Sequence, residues 1–517
     1  MTTNTSRPGP QPASSLQTLV SKGCLMTSTK TLLMFLTLAA GYAAQAAAAD
    51  RPNIVLVLCD DLGYGDLACF GDKTLRTPNL DKFAAEGLRL TSCYAAHPNC
   101  SPSRTALMTG RTPTRVGVRN WIAQDSPVHV RRSEVTIATL VRRAGYATCH
   151  RGKWHMNGEF NQPSQPQPGD HGFDHWFSTQ NNALPNHRNP DNFVRNGQDA
   201  GKLEGYSAHL VVDEAIRWLG ARDQAKPFFL YVCFHEPHEP IATDPKYAQL
   251  YPSDDPSYTA HHGNITQMDD AFGRLMRALD ERSLRDSTFV FFTSDNGPAI
   301  TPMHPYGSAG PLRDKKGALY EGGIRVPGIV RWPGRTAPGS VSDEPVCGVD
   351  FLPTACALAG IEPPRDRALD GANWLPLLEG KPVTRATPLY WHFNRASSEA
   401  KVALRVGDWK ILATLDKNLG SRVNDITDED ERLSREAELA SFALYNLRAD
   451  IAEKNDRAAS EPGKLVEMKG LLEAKYREVR DQSPTWPAWQ FTGAEGKRIE
   501  WPDYWKKKQA AKSKKGP

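Results

Sequence analysis

The chain lacks the paired CxxC spacing of zinc fingers and redox motifs. Its nine cysteines (Cys24, Cys59, Cys69, Cys93, Cys100, Cys149, Cys233, Cys347 and Cys356) are few for an exported protein of 517 residues. Disulfides are therefore not its main fastening. It also lacks any apolar run near the roughly 20 residues that a membrane span needs; the longest, TLLMFLTLAAG at 31–41, has the length of a signal-peptide core. No internal repeat is visible. With 39% hydrophobic and 24% charged residues, and 40 Gly and 39 Pro spread along the chain, collagen-like, coiled-coil and wholly disordered readings are excluded. A basic excess is missing from the body as well. The formal charge of +4 comes from Arg7, Lys22 and Lys30 in an acid-free leader and from six lysines in the last twelve residues, which leaves −5 for residues 50–505. That balance excludes nucleic acid as the expected partner.

What is present starts with a leader. Lys30 precedes the apolar run and YAAQAAAAD follows it, allowing A-x-A cleavage near Ala46 to Ala49. The pattern predicts a leader and signal peptide over 1–49, export to the periplasm or the extracellular space, and no stable membrane insertion. The 25 residues before Met26 do not look like an ordinary n-region, so Met26 competes with Met1 as the start.

Four short apolar runs are each followed at once by a polar cluster: NIVLVLC (53–59) by Asp60 and Asp61, YATC (146–149) by His150 to His155, FFLYVCF (228–234) by HEPHEP, and TFVFFT (288–293) by SDNG. Each run reads as a buried parallel strand, with Cys59, Cys149 and Cys233 as small buried hydrophobes. Stretches of helical spacing at 78–87, 134–144, 207–221 and 264–281 alternate with them. This predicts an α/β domain over 50–380: a large, mainly parallel sheet flanked by helices. In open α/β sheets ligands gather beyond the carboxyl ends of the strands, so the four polar clusters should converge there. From 381 to 481, YWHFNR, VALRVGDWKILATL, ALYNLRAD and a charged helical stretch after Pro462 predict a smaller α+β subdomain. Residues 482–517, rich in Pro and Trp and ending in KKKQAAKSKKGP, are expected to be a solvated tail.

Cys100 opens the stretch CSPSRTALMTGR, where Ser101 and Pro102 read as the cap and first turn of a helix. A helix N-terminus favours an anion, and Arg104, one turn on, adds a guanidinium suited to the oxygens of sulfate or phosphate. Spacing alone leaves a depressed-pKa thiolate nucleophile and a buried inert thiol equally open.

The stretch C-S-P-S-R followed by T-G-R resembles the signature C-x-P-S-R-x-x-x-x-T-G-R of type I sulfatases, within the alkaline-phosphatase-like superfamily. The resemblance continues in order through RPNIVLVLCDDLGYGDL (51–67), TPNLDKFAAEGLRLT (77–91), GKWH (152–155), HGFD (171–174), SDNG (294–297), KKGALYEGGIRVPGIVRWPG (315–334) and LYNLRAD (444–450). It covers residues 51 to 480.

The resemblance implies that Cys100 is oxidised to Cα-formylglycine by a maturation enzyme. The hydrated aldehyde can attack sulfur with one hydroxyl and expel sulfate with the help of the other. Asp60, Asp61, Asp295 and Asn296 match the family's metal site, together with position 100, and a set of hard oxygen ligands favours Ca²⁺, with Mg²⁺ second. Lys153 and His155 match the pair that contacts the nucleophile and removes a proton from it. His238 and Lys316 match the residues on the leaving-group side, with Lys315 as a competing register. His235 fits the family less well and reads as a structural or substrate-facing histidine, while His261, His262 and the tail tryptophans match no catalytic position. The expected activity is hydrolysis of a sulfate ester, with a sulfated small molecule or glycan as substrate. Selectivity is expected to come from 112–132, 156–206 and the C-terminal subdomain. The rivals are a phosphodiesterase or phosphonate monoester hydrolase of the same superfamily, and a non-catalytic protein that binds sulfated glycans.

Overall fold

The computed structural model describes residues 51–417, 419 and 424–513. The expected leader at 1–49, with Cys24 and Met26, lies outside them. No helix among the described residues is long and apolar enough to cross a membrane.

Strand β1 (Asn53–Asp60) carries a run of Ile, Val and Leu that is buried on both faces. Ile54, Leu56 and Leu58 join one apolar cluster while Val55, Val57 and Cys59 join another, as strand alternation requires when helices cover both sides of a sheet. β1 pairs in parallel with β5 (Phe228–Pro237) on one side and β6 (Thr288–Ser294) on the other. β5 pairs in parallel with β3 (Ala147–Lys153), and β3 with β4 (His175–Thr179). All four apolar runs thus become adjacent strands, in the order β6-β1-β5-β3, and all four point their carboxyl ends the same way. Beyond β6 the sheet turns antiparallel through β7 (Arg325–Arg331), which pairs with β2 (Leu88–Tyr94).

Helices α1 (Pro78–Ala85), α3 (Ile137–Arg143), α4 (Ser207–Ala221) and α5 (Pro256–Glu281) fall where helical spacing predicts them. The last extends eight residues before its periodic core, because Asp255 caps its N-terminus by accepting from the Ser257 N–H and Pro256 occupies the first position. β8 (Leu389–His392), β9 (Val402–Val406), β10 (Trp409–Leu415) and β11 (Leu439–Asn446) form an antiparallel sheet, and α6 (Pro462–Gln482) packs on it through Met468, Leu472, Tyr476 and Val479. The fold is the expected mainly parallel α/β layer structure with a smaller α+β part.

The end of the chain departs from expectation. Residues 484–508 are not a solvated tail. The Trp486 indole N–H donates to the Gly117 carbonyl at 2.7 Å, with Arg131 4.6 Å from its ring centre. Trp489 exchanges backbone hydrogen bonds with Ile426, the Glu500 N–H reaches the Pro185 carbonyl, and Lys508 donates to the Pro302 carbonyl at 2.9 Å. Large aromatic rings and satisfied backbone groups anchor a segment whose sequence shows no periodicity.

Candidate active site

The helix α2 (Cys100–Thr109) begins at Cys100, with Asn99 at the capping position. The boundary is two residues earlier than Ser101 and Pro102 suggest, because the Ser101 hydroxyl is used elsewhere, accepting from the Ile122 N–H at 2.9 Å. Cys100 therefore lies at the positive end of a fully buried helix. Burial pushes its thiol pKa up, against the lowering effect of Lys153 and Lys316. The depressed-pKa thiolate is thereby disfavoured: an unmodified Cys100 is a protonated, weak nucleophile at neutral pH.

The four polar clusters meet at the strand ends. Asp60 closes β1 and accepts from Lys153 Nζ, at the end of β3, at 2.6 Å. Asp61 follows in a left-handed conformation (φ 66°), a sparsely populated region for a residue with a side chain and a form of strain often found at working sites. Its carboxylate pairs with Lys316 Nζ at 2.6 Å and accepts from Asn296 Nδ2 at 2.7 Å. The Asp61 N–H in turn donates to Asp295 Oδ1 at 3.2 Å. The other Asp295 oxygen accepts two bonds from Arg104, at 2.9 and 2.7 Å, and the third Arg104 bond goes to the Lys153 carbonyl at 3.1 Å. Arg104 is fully buried, so its guanidinium fastens the carboxylates from behind and is not presented to a ligand's oxygens as the sequence suggests. Lys315 donates to the Ile300 carbonyl, whereas Lys316 reaches Asp61 and lines the cleft.

Position 152 has to be glycine. Its φ is +92°, and a Cβ there would lie 1.8 Å from the Cys233 carbonyl oxygen, so only glycine lets β3 approach β5 closely enough to aim Lys153 at Asp60.

The carboxylate cluster has the electrostatics of a cation site. Asp60, Asp61 and His238 bring ligand atoms within 4.8 Å of one another. Asp60 Oδ1 and Asn296 Oδ1 are buried without a hydrogen-bond partner, which is costly unless a cation or another donor meets them. Asp295 is pushed up to about 7, first by burial and then by Asp60, in spite of Arg104. Crowded buried carboxylates with orphaned oxygens and no thiolate fit a hard divalent ion.

Two histidines flank the nucleophile position. His155 donates from Nε2 to the Ile122 carbonyl at 2.9 Å, while its Nδ1 is buried without a partner. Burial, with Lys153 and Arg104 nearby, holds it well below its usual pKa, hence neutral with a free lone pair on Nδ1. His238 donates from Nδ1 to the Glu239 carbonyl at 2.5 Å, leaving Nε2 3.7 Å from Asp61 and facing the cleft. His235 is buried and bonds the Thr179 hydroxyl at 2.8 Å; His261 and His262 are buried in α5.

Cys100, His155, His238 and Lys316 line one cavity of about 620 Å³. Its walls come from Asn120 and Trp121, from Asn181 and Asn182, and from Phe393 to Ser397 with Lys401 in the C-terminal part, all within the segments expected to govern selectivity. Glu495, Ile499 and Trp501 complete the wall. Sequence reading missed these three. No spacing marks them, since only the docking of residues 484–508 brings them to the cleft.

The sulfatase family model matches residues 52–361, and that of the N-sulphoglucosamine sulphohydrolase C-terminal domain matches residues 312–435. Human N-acetylgalactosamine-6-sulfatase is 36% identical over 373 residues, covering 67% of this chain and 69% of that protein. Human arylsulfatase A is 36% identical over 410 residues, covering 73% and 77%. The solved structure of Ps i-CgsB in complex with k-i-k-neocarrahexaose superposes with a TM-score of 0.73 at 28% identity, covering 86% of this chain and 97% of that one.

Proposed function

The chain belongs to the sulfatase family of the alkaline-phosphatase-like superfamily and is a sulfuric ester hydrolase, and from that premise we propose that it removes a sulfate ester from a sulfated carbohydrate, with Cys100 as its matured nucleophile. The observation that carries the site assignment is that Cys100, His155, His238 and Lys316 line one cavity, with His238 and Lys316 beside Asp61, which is itself bonded to Asp295 and Asn296. The carbohydrate substrate is supported by N-acetylgalactosamine-6-sulfatase among the relatives and by the oligosaccharide bound in the neighbouring structure.

Asp60, Asp61, Asp295 and Asn296 would hold a divalent cation, Ca²⁺ ahead of Mg²⁺, and such an ion supplies positive charge that polarises a bound sulfate ester. Formylglycine at position 100, made by a maturation enzyme acting on the CSPSR stretch, supplies a hydrated aldehyde oxygen as nucleophile. The rest is done by the chain's own side chains. Lys153 and Lys316 neutralise charge at the cleft floor. Arg104 is a positioning residue, holding Asp295 and the end of β3 in register through three hydrogen bonds. His155 is neutral with Nδ1 free, which suits it to accept a proton there. His238 has its Nδ1 proton committed to Glu239, so a second proton on Nε2 is the one it can deliver to a departing alcohol oxygen. Lys316 is a poorer acid, because Asp61 holds it firmly as a cation and raises its pKa.

The superfamily's phosphoesterases are the rival reading. A site with one cation cluster, two lysines and two histidines matches the single negative charge of a sulfate monoester better than the double charge of a phosphate monoester, so kcat/KM for an aryl or sugar sulfate should exceed that for the matching phosphate monoester by at least about a hundredfold, or about 3 kcal/mol of differential transition-state binding. A preference for the phosphodiester would overturn the assignment. We further assign residues 50–380 to the catalytic domain and 381–481 to the subdomain. The 1–49 leader supports a periplasmic or extracellular location.

A further inference from the structure

A second cavity, of about 430 Å³, lies against the reaction cavity, and Asn181, Asn182 and Glu495 line both. The two differ in charge. The reaction cavity presents Lys316, Arg395 and Lys401 against the two carboxylates of Glu239 and Glu495. The second presents the carboxylates of Asp125, Glu159, Asp191, Asp199 and Glu495, and its one cation among the described lining residues, Arg498, is paired with Asp191 at 3.1 Å. The carboxylates do not converge on a metal: among the described residues the one group of three ligand side chains close enough to hold an ion is Asp60, Asp61 and His238. The shared wall has its own unmet need. Asn181 and Asn182 are more than nine-tenths buried, and the Oδ1 of each has no hydrogen-bond partner. Asn181 Nδ2 and the Asn182 N–H both donate to Glu495, at 2.8 and 3.0 Å.

A cavity lined by five carboxylates and by carboxamides, with its one cation already paired, selects a ligand rich in hydroxyl groups and free of negative charge. Sugar hydroxyls supply such donors. A sulfate ester removes a donor and adds a charge that five carboxylates would repel. Resting on the carbohydrate-sulfatase reading above, we propose that this cavity is a subsite for an unsulfated sugar residue next to the sulfated one, and that the C-terminal segment carrying Glu495 and Arg498 builds it. The enzyme then acts on chains in which the reacting sulfated sugar has an uncharged neighbour on that side, and the order of sulfate removal along a multiply sulfated chain follows from it.

The test compares three substrates that share one reacting sulfated sugar: the monosaccharide, a disaccharide with an unsulfated neighbour, and the same disaccharide with a sulfated neighbour. In the parent enzyme the unsulfated neighbour should raise kcat/KM at least tenfold over the sulfated one, carried by KM. Asp199→Lys places a cation on an exposed rim of the cavity and should shrink that preference at least tenfold; Glu159→Gln should move it the same way by less. A preference that is absent in the parent, or unchanged in both variants, overturns the subsite while sulfate release from the monosaccharide continues. If aryl sulfate is hydrolysed and no sulfated sugar is, the carbohydrate reading and the subsite fall together.

Discussion

Asp370 should tie helix α6 to the far end of the nucleophile helix, and its removal should be measurable without reference to activity. Its carboxylate accepts from Arg115 at 2.9 and 3.0 Å, from Lys475 of α6 at 2.6 Å and from the Thr112 N–H at 2.7 Å, while its own N–H donates to the carbonyl of Gly110, the residue that ends α2. Burial pushes this carboxyl up, but Arg115 and Lys475 outweigh it and hold the pKa at about 2, against 3.8 for an ordinary aspartate. A difference near 2 units is worth about 2.5 kcal/mol. Because the folded pKa is depressed, that stability is present above about pH 4 and is lost as pH falls toward 2. Asp370→Asn keeps the shape and removes the charge, leaving Arg115 and Lys475 buried with Glu478 as their remaining acid, at 2.5 and 3.5 Å. Breaking a buried pair costs about 3 to 5 kcal/mol, and the remaining acid should reduce this to about 2 to 4. Urea unfolding of the metal-loaded protein at pH 7.5 and pH 3 reads both effects: the variant should be weaker by that amount at pH 7.5 and by less at pH 3. A variant within about half a kcal/mol of the parent at pH 7.5 would refute the reasoning, since it would mean that desolvation cancels the network.

Chelation should abolish activity and Ca²⁺ or Mg²⁺ should restore it, with Asp295→Ala lowering metal occupancy and rate together; stoichiometric zinc in active protein by elemental analysis would contradict the hard-ligand argument. His238→Ala should cost at least about tenfold more on a sugar sulfate than on nitrophenyl sulfate, because only the poor leaving group needs the Nε2 proton. Equal losses on the two substrates would remove His238 from the acid role.

Much of the site was legible because its chemistry sits directly after the strands that deliver it. Asp60, Lys153, His238, Asp295 and Asn296 each follow an apolar run, and parallel pairing in the order β6-β1-β5-β3 brings them to one edge of the sheet. The strands β2, β4 and β7 were less visible, since their sequences mix Arg, Ser and His with apolar residues and offer no clean run. Arg104 shows where a motif misleads in detail. Its position in the signature suggests a ligand contact, yet burial and the nearness of Asp295 turn it inward. The walls of the cleft were not legible residue by residue. Glu495, Ile499 and Trp501 lie about 400 residues from Cys100 in a stretch without periodicity, and tertiary docking alone makes them neighbours.

The account turns on the chemistry at position 100, and the mass of its tryptic peptide tests this most directly. In enzyme made with the maturation machinery, the fraction of peptide carrying an aldehyde, about 18 Da lighter than the cysteine form, should equal the fraction of active sites, and Cys100→Ala should retain the fold without turnover. A fully active preparation whose position 100 is entirely unmodified cysteine would contradict it.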